Sequence, residues 1–330
     1  MLLNKKVLIF VPGGDGIYGH EIKTAVESKG ALVQIYDERP SSSTIGKIFT
    51  RLVKKVTDVP FNEYLRSVVQ GNNVKEYDYI LIVRGEAFRP TSVGVLRRAY
   101  PRAKIILFLW DSIANTDVRE IIDCVDVAYS YDPEDVSRYN SLKYCPTFYL
   151  DQYRDLPVSI SGDIDLLFSG TVHSDRYNVV QRVRRNLRSF SLNMYCYYYF
   201  PSRLLYCMRY IEDKEIRVEP ISNIKFNMLG VQKMAGLVAA SRVILDVQHP
   251  KQSGLTLRPV EMLGARRKLI TTNQNIRIYD FYDENNILIV DRENPKINSE
   301  FFSLPYRDID KVIYDKYSIH AWVKRIFSCN

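Results

Sequence analysis

No apolar run in this 330-residue sequence approaches the roughly 20 consecutive residues that a membrane-spanning helix needs. The opening stretch, Met1 to Pro12, is too short in its apolar part for a secretory leader and reads instead as a first strand. Cysteine is sparse and scattered: Cys124, Cys145, Cys196, Cys207 and Cys329 show neither a CxxC pair nor zinc-ligand spacing. A disulfide scaffold and a zinc module are thereby disfavoured, and reduced thiols in a cytoplasmic protein are expected. Zinc-finger, RNP-type and basic-helix motifs are missing as well. The net charge of +8 is dispersed apart from short groups such as Arg182 to Arg185 and Arg266 to Lys268. Nucleic acid is therefore not an expected partner, whereas nucleotides and anionic phospholipid surfaces suit the excess of cations. With 46% apolar and 25% charged residues, the chain is an ordinary globular one. Its length suggests two domains, each able to bury a core.

Short, continuous, β-branched runs recur along the chain in the manner of buried parallel strands. In the first half they are 6–11, 31–36, 77–83, 104–109 and 125–129. After the first comes Gly14-Asp15-Gly16-Ile17-Tyr18-Gly19, with Asp37 about 20 residues further on, the letters of a dinucleotide fingerprint. Against that reading stands Asp15, whose charge repels a pyrophosphate; a flexible loop facing an acceptor is the other reading. Residues 45–56 alternate apolar and basic positions with helical spacing. They suit either an anionic membrane surface or the solvated face of a core-packed helix. Ligands of open α/β sheets bind beyond the carboxyl ends of strands, which brings Asp15, His20, Glu86 and Asp111 together by topology. Glu86 and Asp111 stand out because each follows a strongly apolar run.

A Pro-bearing connector leads to a second α/β series. The expected division is 1–150, a linker at 151–162, a second domain at 163–310 and a C-terminal helical segment at 311–330 that packs back on the first domain. Strands are expected at 164–168, 191–199, 216–220, 242–247, 269–272 and 287–290. The loop after the first of them carries Gly170, Thr171, His173 and Arg176; Gly170 and Thr171 leave room for a close ligand, and Arg176 can reach a phosphate. The Tyr- and Arg-rich segment at 195–211 fits a membrane interface or a tyrosine-packed strand and helix equally.

The most informative stretch runs from Lys251 and Ser253 through Gly254, Leu255, Thr256 and Arg258 to Glu261, between the strands at 242–247 and 269–272. It reads as strand, loop, helix, strand. Unpaired N–H groups and the helix dipole at such a start form an anion site. Arg258 reinforces it, and Glu261, further into the helix, can accept hydrogen bonds from a sugar diol. An ordinary βα unit with a polar surface is the plain alternative.

Two successive α/β domains, Trp110-Asp111-Ser112 after a strand, Phe168-Ser169-Gly170-Thr171, and Gly254 to Glu261 followed by Leu269 to Asn273 resemble the GT-B glycosyltransferases. The likeness is to those of bacterial lipopolysaccharide and capsule synthesis, of the CgeB-like kind. It implies two Rossmann-like domains facing across a cleft, the second taking a nucleotide-sugar donor and the first a glycan or lipid-linked glycan acceptor. It implies no cofactor and no bound metal, since such enzymes neutralise the leaving diphosphate with cationic side chains and backbone N–H groups. Asp163-Ile164-Asp165 has the letters of a metal-binding DxD but opens a strand. Many GT-B enzymes carry two glutamates eight positions apart. Glu261 falls on the second, ribose-contacting position and Ser253 on the first, so this chain departs from the retaining pattern. Asp111 is the first choice of general base, followed by Glu86, Asp15 and His20. A nicotinamide oxidoreductase and a non-catalytic ligand-binding protein are the competing readings.

Overall fold

The computed structural model describes residues 2–39, 58–154, 156–157, 164–250 and 252–328. The basic segment at 45–56, Asp163, Lys251 and Cys329 lie outside these residues. The chain forms two compact units, one reaching to Thr147 and rejoined by the chain from Ile319, the other Phe148–Ser318.

The first unit is built on a six-stranded, fully parallel sheet. Its strands are β1 (Lys6–Val11), β2 (Leu32–Asp37), β3 (Tyr79–Val83), β4 (Lys104–Leu109), β5 (Val127–Ser130) and β6 (Leu142–Tyr144). They lie in the order β2-β1-β3-β4-β5-β6, with Ile9 in register with both Ile35 and Leu81. Strands buried on both faces must be apolar throughout, which explains the runs VLIFV and IILFL. Leu8, Phe10, Ile80, Ile82 and Leu107 pack with Phe61, Leu65 and Leu96 on one face. The last helix, Ile319–Phe327, belongs to this unit, where Trp322 meets Phe108 edge-on at 5.1 Å and Phe327 meets Tyr79 at 5.2 Å. The chain leaves β1 toward β2 on one side and returns to β3 on the other, so the loops after β1 and β3 flank the topological switch point.

The second unit carries another six-stranded parallel sheet. Its strands are β7 (Ile164–Thr171), β8 (Met194–Tyr199), β9 (Ile224–Lys225), β10 (Ser241–Asp246), β11 (Lys268–Thr271) and β12 (Ile287–Ile289). The order β12-β11-β10-β7-β8-β9 is that of a Rossmann sheet, with β7 and β10 at the switch point. The loops of interest, 172–175 and 247–256, follow these two strands.

Several elements differ from the sequence reading. Residues 216–220 are not a strand: Asp213 caps a short helix, Lys214–Arg217, by accepting the Glu215 N–H at 2.9 Å, and Pro220 follows. The real third strand on that side is the two-residue β9. The helix Asp58–Gly71 and the edge strand β6 were not expected. The helix buries Phe61, Leu65 and Val68, at i, i+4 and i+7, beneath otherwise polar residues; β6 is too short to show a period.

Candidate functional site

In the second unit, arginines and carboxylates gather at the switch point. Arg176 opens the helix Arg176–Arg188 directly after β7, and its guanidinium ties the two central strands. Nε donates to the Val247 carbonyl at 2.8 Å and Nη1 to that of Thr171 at 3.1 Å. Burial lowers its pKa to about 10, so it stays charged at neutral pH. Beneath it lies Asp246, the buried last residue of β10, which accepts the Thr271 hydroxyl at 3.0 Å. Burial raises the pKa of this carboxyl, while Arg176, Arg258 and Arg292 pull it down. Three guanidiniums thus share this end of the sheet with the carboxylates of Asp246, Asp175 and Glu261.

Arg292, just beyond β12, escaped the sequence reading although it sits at a strand end like the rest. It grips Asp175 with two bonds, Nη2 to Oδ1 at 2.7 Å and Nε to Oδ2 at 3.1 Å. Its Nη1 donates to the Gln248 carbonyl at 3.2 Å and to the Thr272 hydroxyl at 3.0 Å. One planar fork thus joins the loops that follow β7, β10, β11 and β12. His173 lies near His249, with ring centroids 5.4 Å apart, and its Nδ1 is 3.2 Å from the Ser174 hydroxyl. Burial first, and then Arg176, depress its pKa to about 4, so this imidazole is neutral near pH 7. Gly170 has Phe168 and Arg176 against it: an added Cβ there would lie 3.3 Å from the Phe168 ring and 3.4 Å from Arg176 Nη1.

The helix predicted after Gly254 runs Leu257–Ala265, with Thr256 in extended backbone as its N-cap. Pro259 is the third helical residue, where no intrahelical N–H bond is lost. Glu261 is 1% exposed and accepts Arg258 Nη1 at 3.0 Å, so these two residues form one unit. Buried Tyr153 sits in their field. Its phenol is pushed well above the usual range by burial and then by the charge of Glu261. The loop is pinned from the far side. Asn273 Nδ2 donates to the Gly254 carbonyl at 3.3 Å and Asn275 Nδ2 to that of Ser253 at 3.1 Å. The Leu255 N–H donates to the Tyr279 hydroxyl at 3.4 Å. Ser253, Gly254, Leu255, Thr256, Arg258 and Glu261 therefore share one braced loop and helix start.

Asp165, from the DxD letters, lies at the opposite, amino-terminal end of β7. There its N–H donates to Asn193 Oδ1, its carboxylate accepts the Asn193 N–H, and it pairs with Arg242 at 3.3 Å. Among the described residues, no cluster of three or more His, Cys, Asp or Glu is placed to hold a metal.

In the first unit the four acid–base candidates fall into two groups. Asp15 and His20 lie after β1, with His20 Nδ1 3.3 Å from Asp15 Oδ1, both largely exposed, and Lys23 Nζ 3.9 Å from Asp15 Oδ2. Glu86 and Asp111, after β3 and β4, are linked through Arg84, whose Nη2 is 3.1 Å from Glu86 and 3.7 Å from Asp111. Arg39 Nη2 reaches Glu86 at 3.0 Å. Asp111 also accepts the Ser112 N–H at 3.0 Å, the Asn115 amide at 3.1 Å and the Thr116 hydroxyl at 3.2 Å. Arg84 and Gly85 both adopt positive φ, 76° and 77°. This turn aims the Gly85 N–H at Glu38, whose Oε2 accepts it at 2.9 Å. Glu38 is fully buried, and burial raises its pKa to about 7. Nothing in the sequence marked it.

The glycine letters have a structural use. A Cβ on Gly19 would lie 1.8 Å from the Gly14 carbonyl oxygen, so the helix Ile17–Glu27 can approach its own loop only with glycine there. Asp37 accepts the Gly13 N–H at 3.1 Å and the Arg39 N–H at 3.1 Å. Its carboxylate thus secures the loop, a role different from holding a dinucleotide ribose.

Two Rossmann-like units, each on a six-stranded parallel sheet, define the fold as that of the GT-B class. The sequence matches no protein-family profile and no curated protein. Among solved structures, the chain is similar to sucrose-phosphate synthase from Thermosynechococcus elongatus, at 12% identity and TM-score 0.59 over 98% of both chains. It is similar to Anabaena HepE in complex with UDP-glucose, at 9% identity and TM-score 0.63 over 98% of this chain and 99% of that one. MurG from Acinetobacter baumannii aligns at 9% identity and TM-score 0.53, over 99% of this chain and all of MurG. Among the described residues, no helix is long and apolar enough to cross a membrane.

Proposed function

We propose that the chain is a glycosyltransferase that moves a sugar from a nucleotide-sugar donor to a glycan or lipid-linked glycan in bacterial surface polysaccharide synthesis. The products in view are lipopolysaccharide, O-antigen or capsule. The enzyme works in the cytoplasm, peripheral to the inner face of the membrane. The observation that carries this reading is the network of Arg176, Arg258 and Arg292 with Asp246, Glu261 and Asp175 at the β7/β10 switch point. A nucleoside diphosphate matches this arrangement. Its phosphates meet the arginines and the start of the Leu257–Ala265 helix, and its ribose hydroxyls meet Glu261. The HepE structures, whose fold is similar, hold UDP, glucose or UDP-glucose.

Transfer needs the leaving diphosphate stabilised and the acceptor hydroxyl deprotonated. Arginine and backbone N–H groups perform the first task here, in place of a metal ion. For the second, we favour His20 with Asp15 over Asp111, the first choice from the sequence, and Glu86. Both of the latter carboxylates are already engaged by Arg84. The Asp15 carboxylate, by contrast, orients an exposed imidazole. Turnover of a nucleotide-sugar panel, read as released nucleoside diphosphate, tests the assignment. His20→Ala is expected to lower kcat by about 10²–10⁴-fold with donor affinity unchanged. An unaltered kcat removes His20 from the reaction and returns Asp111 to first place.

A further inference from the structure

The helix Arg203–Glu212 is amphipathic in the wrong sense for a core element. Tyr206 is its anchor, edge-on to Phe200 at 5.2 Å and to Phe226 at 5.8 Å. On the outer side, Leu204, Met208 and Ile211 recur at i, i+4 and i+7, the spacing of one helical face, and are 71%, 49% and 71% exposed. The Arg217 side chain donates back to the carbonyls of Tyr210, at 2.8 Å, and Ile211. That contact brings the next turn alongside, where Val218 and Ile221 are 82% and 70% exposed. Met228, two residues beyond Phe226, is 59% exposed. No residue of this helix is buried, and a contiguous exposed apolar face of this size marks an interaction surface.

The charges around it choose the partner. Arg203 lies over the Phe226 ring at 5.3 Å, and Lys225 over that of Tyr197 at 5.9 Å. Arg209 donates to the Ser174 carbonyl at 3.3 Å, and Arg217 to the helix end. None of these four cations has an acidic partner among the described residues. Of the nearby acids, Asp213 caps the following helix, Glu215 pairs with Arg185 at 3.6 Å, and Glu219 is buried against Arg184 at 3.0 Å. Glu212 alone stays exposed on the helix. A second copy of the chain fits poorly, because a two-fold interface sets the same arginines against one another. Anionic lipid headgroups neutralise them while the acyl boundary takes up Leu204, Ile211 and Val218.

We propose that this face of the second unit, Arg203 to Met228, is a docking surface for an anionic lipid bilayer. The inference deepens the peripheral placement proposed above and rests on it, assigning that placement to apolar insertion by the second unit. The test is cosedimentation of the full chain with vesicles of equal parts phosphatidylglycerol and phosphatidylethanolamine. Three proteins are compared: the unmodified chain, Leu204→Ser/Ile211→Ser/Val218→Ser, and Arg203→Gln/Lys225→Gln. Circular dichroism melting checks their folding. The expected result is vesicle binding by the unmodified chain that the serine variant weakens by about tenfold or more, with an unchanged melt. A second variant, Arg203→Gln/Lys225→Gln, is expected to lose part of the salt-sensitive binding. If the chain binds and the serine variant binds equally well, this surface is refuted while the peripheral placement stands. If the unmodified chain binds no vesicles, both fail. A self-associating chain that the serine variant renders monomeric, without lipid binding, overturns the proposal in favour of a second copy.

Discussion

Glu38 is the residue whose chemistry departs furthest from its ordinary behaviour. Its carboxyl is fully buried, with one oxygen held by the Gly85 N–H and the other 3.8 Å from Arg39 Nε. Because its folded pKa, about 7, lies above the unfolded value of 4.5, the native state holds a proton that the unfolded chain has released. Stability from this group is therefore complete below about pH 4.5 and is lost as pH rises through 7. The loss amounts to a few kcal/mol at most. Denaturant melts at pH 5 and pH 8 check it. Glu38→Gln, which mimics the protonated form, is expected to lose less stability over that interval than the unmodified chain; parallel losses would contradict the assignment. Neither Glu38 nor Arg292 was legible in the sequence, for the same physical reason. Their significance comes from burial and from partners 47 and 117 positions away, and local pattern holds no trace of either. Arg258 and Glu261 were legible because one helix places both, three residues apart.

Among the elements, the Leu257–Ala265 helix is held most tightly to its unit. Gly264 lies against the Tyr149 ring, and a Cβ there would sit 2.4 Å from Tyr149 Cγ. Tyr149 in turn packs on Tyr314 at 5.1 Å, whose hydroxyl donates to the Gly264 carbonyl at 2.8 Å. Arg266 ends the helix in the left-handed region at φ 49°. Gly264→Ala must displace the ring, the helix or both, at a cost of about 1–3 kcal/mol. A melting temperature lowered by several degrees is expected from that cost. An unchanged melt would show that the contact is looser than described. The strands of both sheets were readable as continuous apolar runs. Short elements were not: Ile216-Arg217-Val218 alternates like a strand, yet the Asp213 cap and Pro220 make the segment helical. The two residues of β9 carry too little pattern to identify.

At the scale of the whole molecule, two parallel sheets were foreseeable from alternating strand and helix signals, though the short strands β6 and β9 were not, and each sheet has its switch point where the glycine-bearing loops fall. Side-chain bonds brace the loops after β7 and β10 in the second unit, with Arg292 joining four strand ends. The account's central claim is that this switch point binds the nucleotide of a sugar donor. Calorimetric titration of the full chain with UDP, GDP, CMP and NAD in turn tests it most directly, repeated with Glu261→Gln and Arg292→Lys. The account predicts that a sugar-donor nucleotide binds, that each substitution weakens it about tenfold, equivalent to roughly 1.4 kcal/mol, and that NAD does not bind. Binding of NAD alone, or nucleotide binding indifferent to both substitutions, would contradict it.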